Sequence, residues 1–116
     1  MGWGRLHFLD ISDLNSIQEI STFSIAQSDE CIRGPNNGST MFTAWDLTLD
    51  GDLVYSTWLN GGLHVVDISD PAHPVEVGAF QAPDGIGPTL SDVALYGEYA
   101  VASSVWWHGL YSLKQE

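Results

Sequence analysis

Five tryptophans, four histidines, one cysteine and fifteen carboxylates carry whatever chemistry this chain of 116 residues can do. Trp106, Trp107 and His108 are consecutive, and an imidazole beside two indoles makes His108 the best single acid–base candidate. Trp45, Trp58, Trp106 and Trp107 could stack on a flat ligand such as a sugar; the competing reading is that Trp58, Trp106 and Trp107 pack between structural units. Asp46 and Asp92 each open a short alternating segment. They could hold a cation, or act as an acid–base pair, or bond nearby backbone. Asn60 begins Asn-Gly-Gly, a turn sequence. His7 and His64 fall at matching places of a repeat described below, which favours a structural role over ligation, and His73 sits between turn residues. No two histidines have a local metal-ligand spacing, so no metal set and no cofactor are expected. Cys31 is an idle or a reactive thiol, and as the lone cysteine it forms no intrachain disulfide. Asn37-Gly38-Ser39 fits the glycosylation tripeptide. Gly34 and Gly38 do not lead into a helix, so no phosphate-binding loop is expected.

These residues need a frame, and self-comparison supplies it. Residues 4–23, GRLHFLDISDLNSIQEISTF, align with 61–80, GGLHVVDISDPAHPVEVGAF, and nine of twenty positions are identical. A second pairing sets 46–54, DLTLDGDLV, against 92–100, DVALYGEYA. Gly62-Leu63 then matches Gly109-Leu110. One unit reads as four strands: 46–49 alternates, 53–58 is rich in β-branched and aromatic residues, 63–68 is almost all apolar, and 75–80 closes the unit. Asp50-Gly51-Asp52, Asn60-Gly61-Gly62 and Ser69-Asp70-Pro71 are the turns between them. Asp10 and Asp67 are placed to cap the turns at Ser12 and Ser69.

Ile11, Leu14, Ile17 and Ile20 recur as a helix face would. The aligned copy carries Pro71 and Pro74, and a proline inside a helix costs about 3 kcal/mol. The helix is therefore rejected for both copies. The expected class is all-β: blades of four antiparallel strands forming an incomplete β-propeller, in a single partial domain. Residues 1–23 end one blade, 42–80 make a complete blade, and 89–116 give three strands of the last. Two and a quarter blades cannot close a ring. The remaining blades of a parent chain, or self-association, are therefore expected to cover the stacking faces.

Strand direction sorts the loops. Those after the second and fourth strands open at one end, which collects both long insertions, Asn60, the starts of the inner strands at Trp45-Asp46 and Ser91-Asp92, and Trp58, Trp106, Trp107 and His108. Function is expected at this loop-rich end.

The balance of three basic against fifteen acidic residues gives a formal charge of −12. Such a surface repels phosphate backbones and anionic lipid, which excludes nucleic acid as a partner. No apolar run reaches membrane-spanning length, and the first ten residues lack a signal-peptide layout.

GLHVVDISDP at 62–71 followed by PVEVGAF at 74–80 resembles the LVIVD-repeat family, as do DLTLDGDLVYSTWLNGG at 46–62 and DVALYGEYAVASSVWWHGLYSL at 92–113. The copy at 4–23 keeps Asp10-Ile11-Ser12-Asp13 but has Leu14 and Ile17 where the motif has proline. The resemblance implies a propeller of about seven blades, often extracellular or at the cell surface, with no single activity. It also implies that an upstream strand completes the last blade. Selenium-binding propellers, some of them copper-dependent thiol oxidases, are similar. In the family a histidine often precedes the inner-strand aspartate; here Trp45 and Ser91 stand there, which counts against a histidine metal site. The leading expectation is a non-catalytic binding or interaction scaffold for a protein or small-molecule ligand. The rival is a metal-dependent oxidase.

Overall fold

A computed structural model describes residues 4–29, 41–81, 88–104 and 109–114. Its strands fall where the repeat places them: β1 (Leu6–Asp10), β2 (Gln18–Phe23), β3 (Asp46–Asp50), β4 (Leu53–Thr57), β5 (Leu63–Asp67), β6 (Val75–Phe80), β7 (Leu90–Tyr96), β8 (Tyr99–Ser104) and β9 (Leu110–Lys114). They form three antiparallel sheets in chain order, β1-β2, β3-β4-β5-β6 and β7-β8-β9. These are an incomplete set of propeller blades. The helix-like spacing at 11–20 yields to turn and strand. The one helix among the described residues is a four-residue turn, α1 (Ala26–Asp29), which no periodic pattern announces.

The two aligned copies share detail below the level of strands. Asp10 Oδ1 accepts the Ser12 N–H at 2.9 Å, and Asp67 Oδ1 accepts that of Ser69 at 2.8 Å. Asp13 and Asp70 repeat the device on Asn15 and Ala72. The pairing of β1 with β2 slips between Phe8 and Leu9, and that of β5 with β6 slips between Val65 and Val66. Each slip is a bulge that leaves one residue, Ile20 or Val77, without a partner. The two bulges lie at the same place in the repeat.

Tight turns join the strands. Gly51 and Gly97 have φ of 56° and 57° in the β3–β4 and β7–β8 turns, a left-handed backbone that glycine adopts without a Cβ penalty. Gly62 has φ of 80°, and a Cβ there would collide with the Phe80 carbonyl.

Strand alternation gives the middle blade two buried faces. Val54, Trp58 and Val66 join Leu6, Ile25 and Phe42 in a core against the first blade. Tyr55 and Leu63 join Leu90, Val93, Ala100 and Ala102 in a core against the last. Period two along β4 thus sends Val54 one way and Tyr55 the other. β7 lies against β3 and β4.

Candidate functional site

The loop-rich end is organised around the turn after β4. Trp58 N–H donates to the Gly62 carbonyl at 2.9 Å, Gly61 N–H to Trp58 at 2.8 Å, and Leu59 takes a left-handed φ of 48°. A left-handed backbone is costly for a leucine and persists only where its surroundings hold it. Asn60 does much of the holding. Its N–H donates to the Met41 carbonyl at 2.9 Å, its Oδ1 accepts the Met41 N–H at 3.0 Å, and its Nδ2 donates to Thr89 Oγ1 at 2.7 Å. One amide side chain therefore ties together the ends of both long connections, the one that reaches β3 and the one that reaches β7. Leu59 also accepts the Leu90 N–H at 2.9 Å, and the two form an antiparallel bridge.

Trp58 is fully buried. Its Nε1–H donates to Ser56 Oγ at 2.8 Å, and its ring meets Phe23 and His64 edge-on at 6.0 and 6.2 Å. It packs between blades, and its indole face is closed to a ligand. Trp45, by contrast, is 62% exposed, while its N–H is fixed on the Thr57 carbonyl at 2.9 Å. A rigid backbone thus presents an open indole at this end. Trp106, Trp107 and His108 lie outside the described residues, as do Cys31 and the tripeptide at 37–39.

The two inner-strand aspartates do different work. Asp46 Oδ2 accepts the Val93 N–H of the next blade at 3.0 Å. Thr57, its cross-strand partner, donates Oγ1–H to the Ser91 carbonyl at 2.7 Å. Asp46 and Thr57 therefore clasp the inner strand of the following blade through its backbone. Asp92 has Ser103 as cross-strand partner. Its carboxylate accepts Ser91 Oγ–H at 2.7 Å and Ser103 Oγ–H at 2.9 Å, and it stays exposed. Those two hydroxyls hold the Asp92 carboxyl below its ordinary range. An acid so stabilised in its ionised form is a poor proton donor near neutrality.

The histidines in the repeat share one arrangement. His7 Nδ1 lies 2.6 Å from Glu19 Oε2, and His64 Nδ1 pairs with Glu76. The first pair is exposed. In the second, the imidazole is buried and its Nε2 also faces the Gly61 carbonyl at 2.8 Å and Gln81 Nε2 at 3.2 Å. His64, Glu76 and Gln81 line a pocket of about 520 Å³ together with Phe23, Ile25 and Gln27. Sequence reading missed this group as a group. Its signal was present, because Glu19 and Glu76 occupy matching places in the aligned copies. His73 makes only a local bond, at 2.9 Å to Asp70.

Among the described residues, no group of three or more His, Cys, Asp or Glu side chains gathers as a metal-ligand set. No helix there is long and apolar enough to cross a membrane. Residues 43–82 match the family model described as LVIVD repeat. The match begins just before β3 and ends just after β6, so it covers the complete blade. No curated protein and no solved structure matches the chain.

Proposed function

Residues 43–82 match the LVIVD repeat, and from that premise we propose that the chain is an LVIVD-repeat protein and a binding scaffold whose contacts lie at the loop-rich end. The repeat provides a β-propeller-like scaffold, and its loops provide the variation. The observation that carries the reading is Trp45: a large aromatic side chain, open to solvent, on a backbone hydrogen-bonded to Thr57. An exposed indole on a rigid support gains contact area at small entropic cost, which is the usual economy of a recognition residue. Asp92 lies on the same rim and adds an exposed carboxylate. The proposed ligand class is a neutral molecule with a flat apolar face, a sugar being the simplest example. A chain of net charge −12 disfavours an anionic one. We also propose a cell-surface or extracellular setting for the protein, on the strength of the family resemblance.

The test is a panel of soluble glycans presented to the intact chain and to Trp45→Ala. Saturable binding that falls about tenfold in the variant, equivalent to ~1.4 kcal/mol, supports the proposal. Binding that is unchanged in the variant removes Trp45 from the site. Absence of binding across the panel removes the sugar class.

A further inference from the structure

Two acceptors face one buried imidazole from opposite sides, and a neutral ring can serve only one of them. His64 is 3% exposed. Its Nδ1 pairs with the Glu76 carboxylate. Its Nε2 stands 2.8 Å from the Gly61 carbonyl, to which Gln81 Nε2 also donates at 2.8 Å. A carbonyl only accepts, so Nε2 must carry a proton to bond it. The bond between Nδ1 and the carboxylate needs a proton as well. The two bonds together hold one proton more than a neutral ring and an ionised carboxylate possess. Glu76 is half-exposed and reached by water, so that proton belongs on the ring as imidazolium.

The bulge in the middle blade creates this competition. Val65 pairs with Gly78, so an unbroken ladder would set Val66 against Val77; the bulge sets it against Glu76 instead. Cross-strand partners share a face, and Val66 shares its face with His64, two residues before it. The carboxylate is thereby turned from the opposite face onto the imidazole. The first copy does the same with Leu9, Glu19 and His7. His7, however, is exposed and within reach of water, so its ring faces no such choice.

We propose that His64 and Glu76 form a proton-operated latch on the Asn60-Gly61-Gly62 turn. In acid the imidazolium holds Glu76 with one N–H and the Gly61 carbonyl with the other. When the ring gives up a proton, the one that remains stays on Nδ1, because a bond to a carboxylate is charge-assisted and the stronger of the two. Nε2 then turns a lone pair on the Gly61 carbonyl, and an attraction becomes a repulsion. The turn therefore loosens as pH rises. Asn60, the neighbour of Gly61, ties Met41 to Thr89, so the loosening reaches the ends of both long connections.

The surroundings of the ring leave that sign unopposed. Among the described residues, Glu76 is the titratable group that faces it. Trp58 meets the ring edge-on, and its cross-strand neighbours Ser56 and Ala79 carry no charge. From the first blade, Phe23, Ser24, Ile25, Ala26 and Gln27 line the adjoining pocket, again without charge, and Asp29 of α1 is paired with Arg5. The latch needs no ligand, so it stands or falls apart from the sugar reading of Trp45.

The experiment is a pH titration of the intact chain by heteronuclear NMR, from about pH 5 to 8. It reads the two ring nitrogens of His64 and the exchange protection of the Gly61 and Gly62 amides, which bond Trp58 and Leu59 within the turn. Both nitrogens should carry protons at the acid end, and Nε2 should be the one that loses its proton. Protection of the two amides should fall about threefold at the same midpoint, the net worth of one modest hydrogen bond. Glu76→Gln is the decisive variant. A carboxamide donates to Nδ1, so a neutral ring keeps its Nε2–H on Gly61; the turn should stay formed and the step in protection should vanish. His7→Gln should leave the step in place. A ring that keeps one protonation state across the range overturns the proposal. So does amide protection that stays flat while His64 titrates. A step that survives Glu76→Gln overturns it too, because competition for the proton would not be its cause. A step lost with His7→Gln also overturns it, since the titration would then belong to the first copy.

Discussion

Tyr55 is buried with its hydroxyl unbonded. Burial, and then the nearby Asp50 carboxylate, push its phenol above the ordinary range. An unsatisfied buried hydroxyl costs free energy that its removal returns. Tyr55→Phe should therefore leave the fold intact and raise stability by up to about 1 kcal/mol in urea unfolding. At this scale the sequence was partly legible. Asp10 and Asp67 could be read as turn caps because their partners lie two residues away and the Asp-Ile-Ser-Asp run is repeated. The role of Asn60 could not. Its partners Met41 and Thr89 are 19 and 29 residues distant, and nothing local specifies them. Trp45 and Trp58 were both read as candidate stacking residues, with packing between blades weighed for Trp58. Only strand parity and the end of β4 separate the open indole from the buried one.

Single elements are held by turns whose glycines differ in what surrounds them. Gly51 has open space where a Cβ would go, whereas Gly62 has the Phe80 carbonyl. Gly51→Ala should cost about 1 kcal/mol through its backbone conformation alone. Gly62→Ala should cost more than ~2 kcal/mol, since steric collision adds to the same conformational term. Thermal unfolding of the two variants side by side measures the difference. Strand existence and order were legible because turn residues and alternating apolar positions recur in register between copies. The bulges after Phe8 and Val65 were not, because a bulge changes pairing without changing composition. α1 escaped notice for a different reason: four residues give no full period to detect.

For the whole molecule, acid is the informative variable. Hydrogen bonds from Ser12, Ser69, Ala72, Ser91, Ser103 and His73 lower the carboxyl pKa values of Asp10, Asp67, Asp70 and Asp92 from 3.8. A carboxyl lowered in the folded state contributes stability above its unfolded pKa of about 4. That contribution is lost as pH falls through the folded value. Protonation also relieves the self-repulsion of the acidic surface, so the net pH curve mixes two opposing effects. A difference measurement separates them. Asp67→Ala should melt below the wild type at pH 7, and the gap should narrow as pH falls below about 4.

The Asn60 junction has a chemical lifetime as well as a geometry. An asparagine followed by glycine is the dipeptide most open to attack by the following amide nitrogen on the side-chain carbonyl, which ends in loss of ammonia. Here that nitrogen belongs to Gly61 and is already committed to the Trp58 carbonyl, so the fold shields its own weakest covalent point. Once local opening releases it, conversion to aspartate removes the donor to Thr89 and adds a negative charge. The two long connections would then lose their shared anchor, and an aged molecule would keep its blades while the loop-rich end came undone.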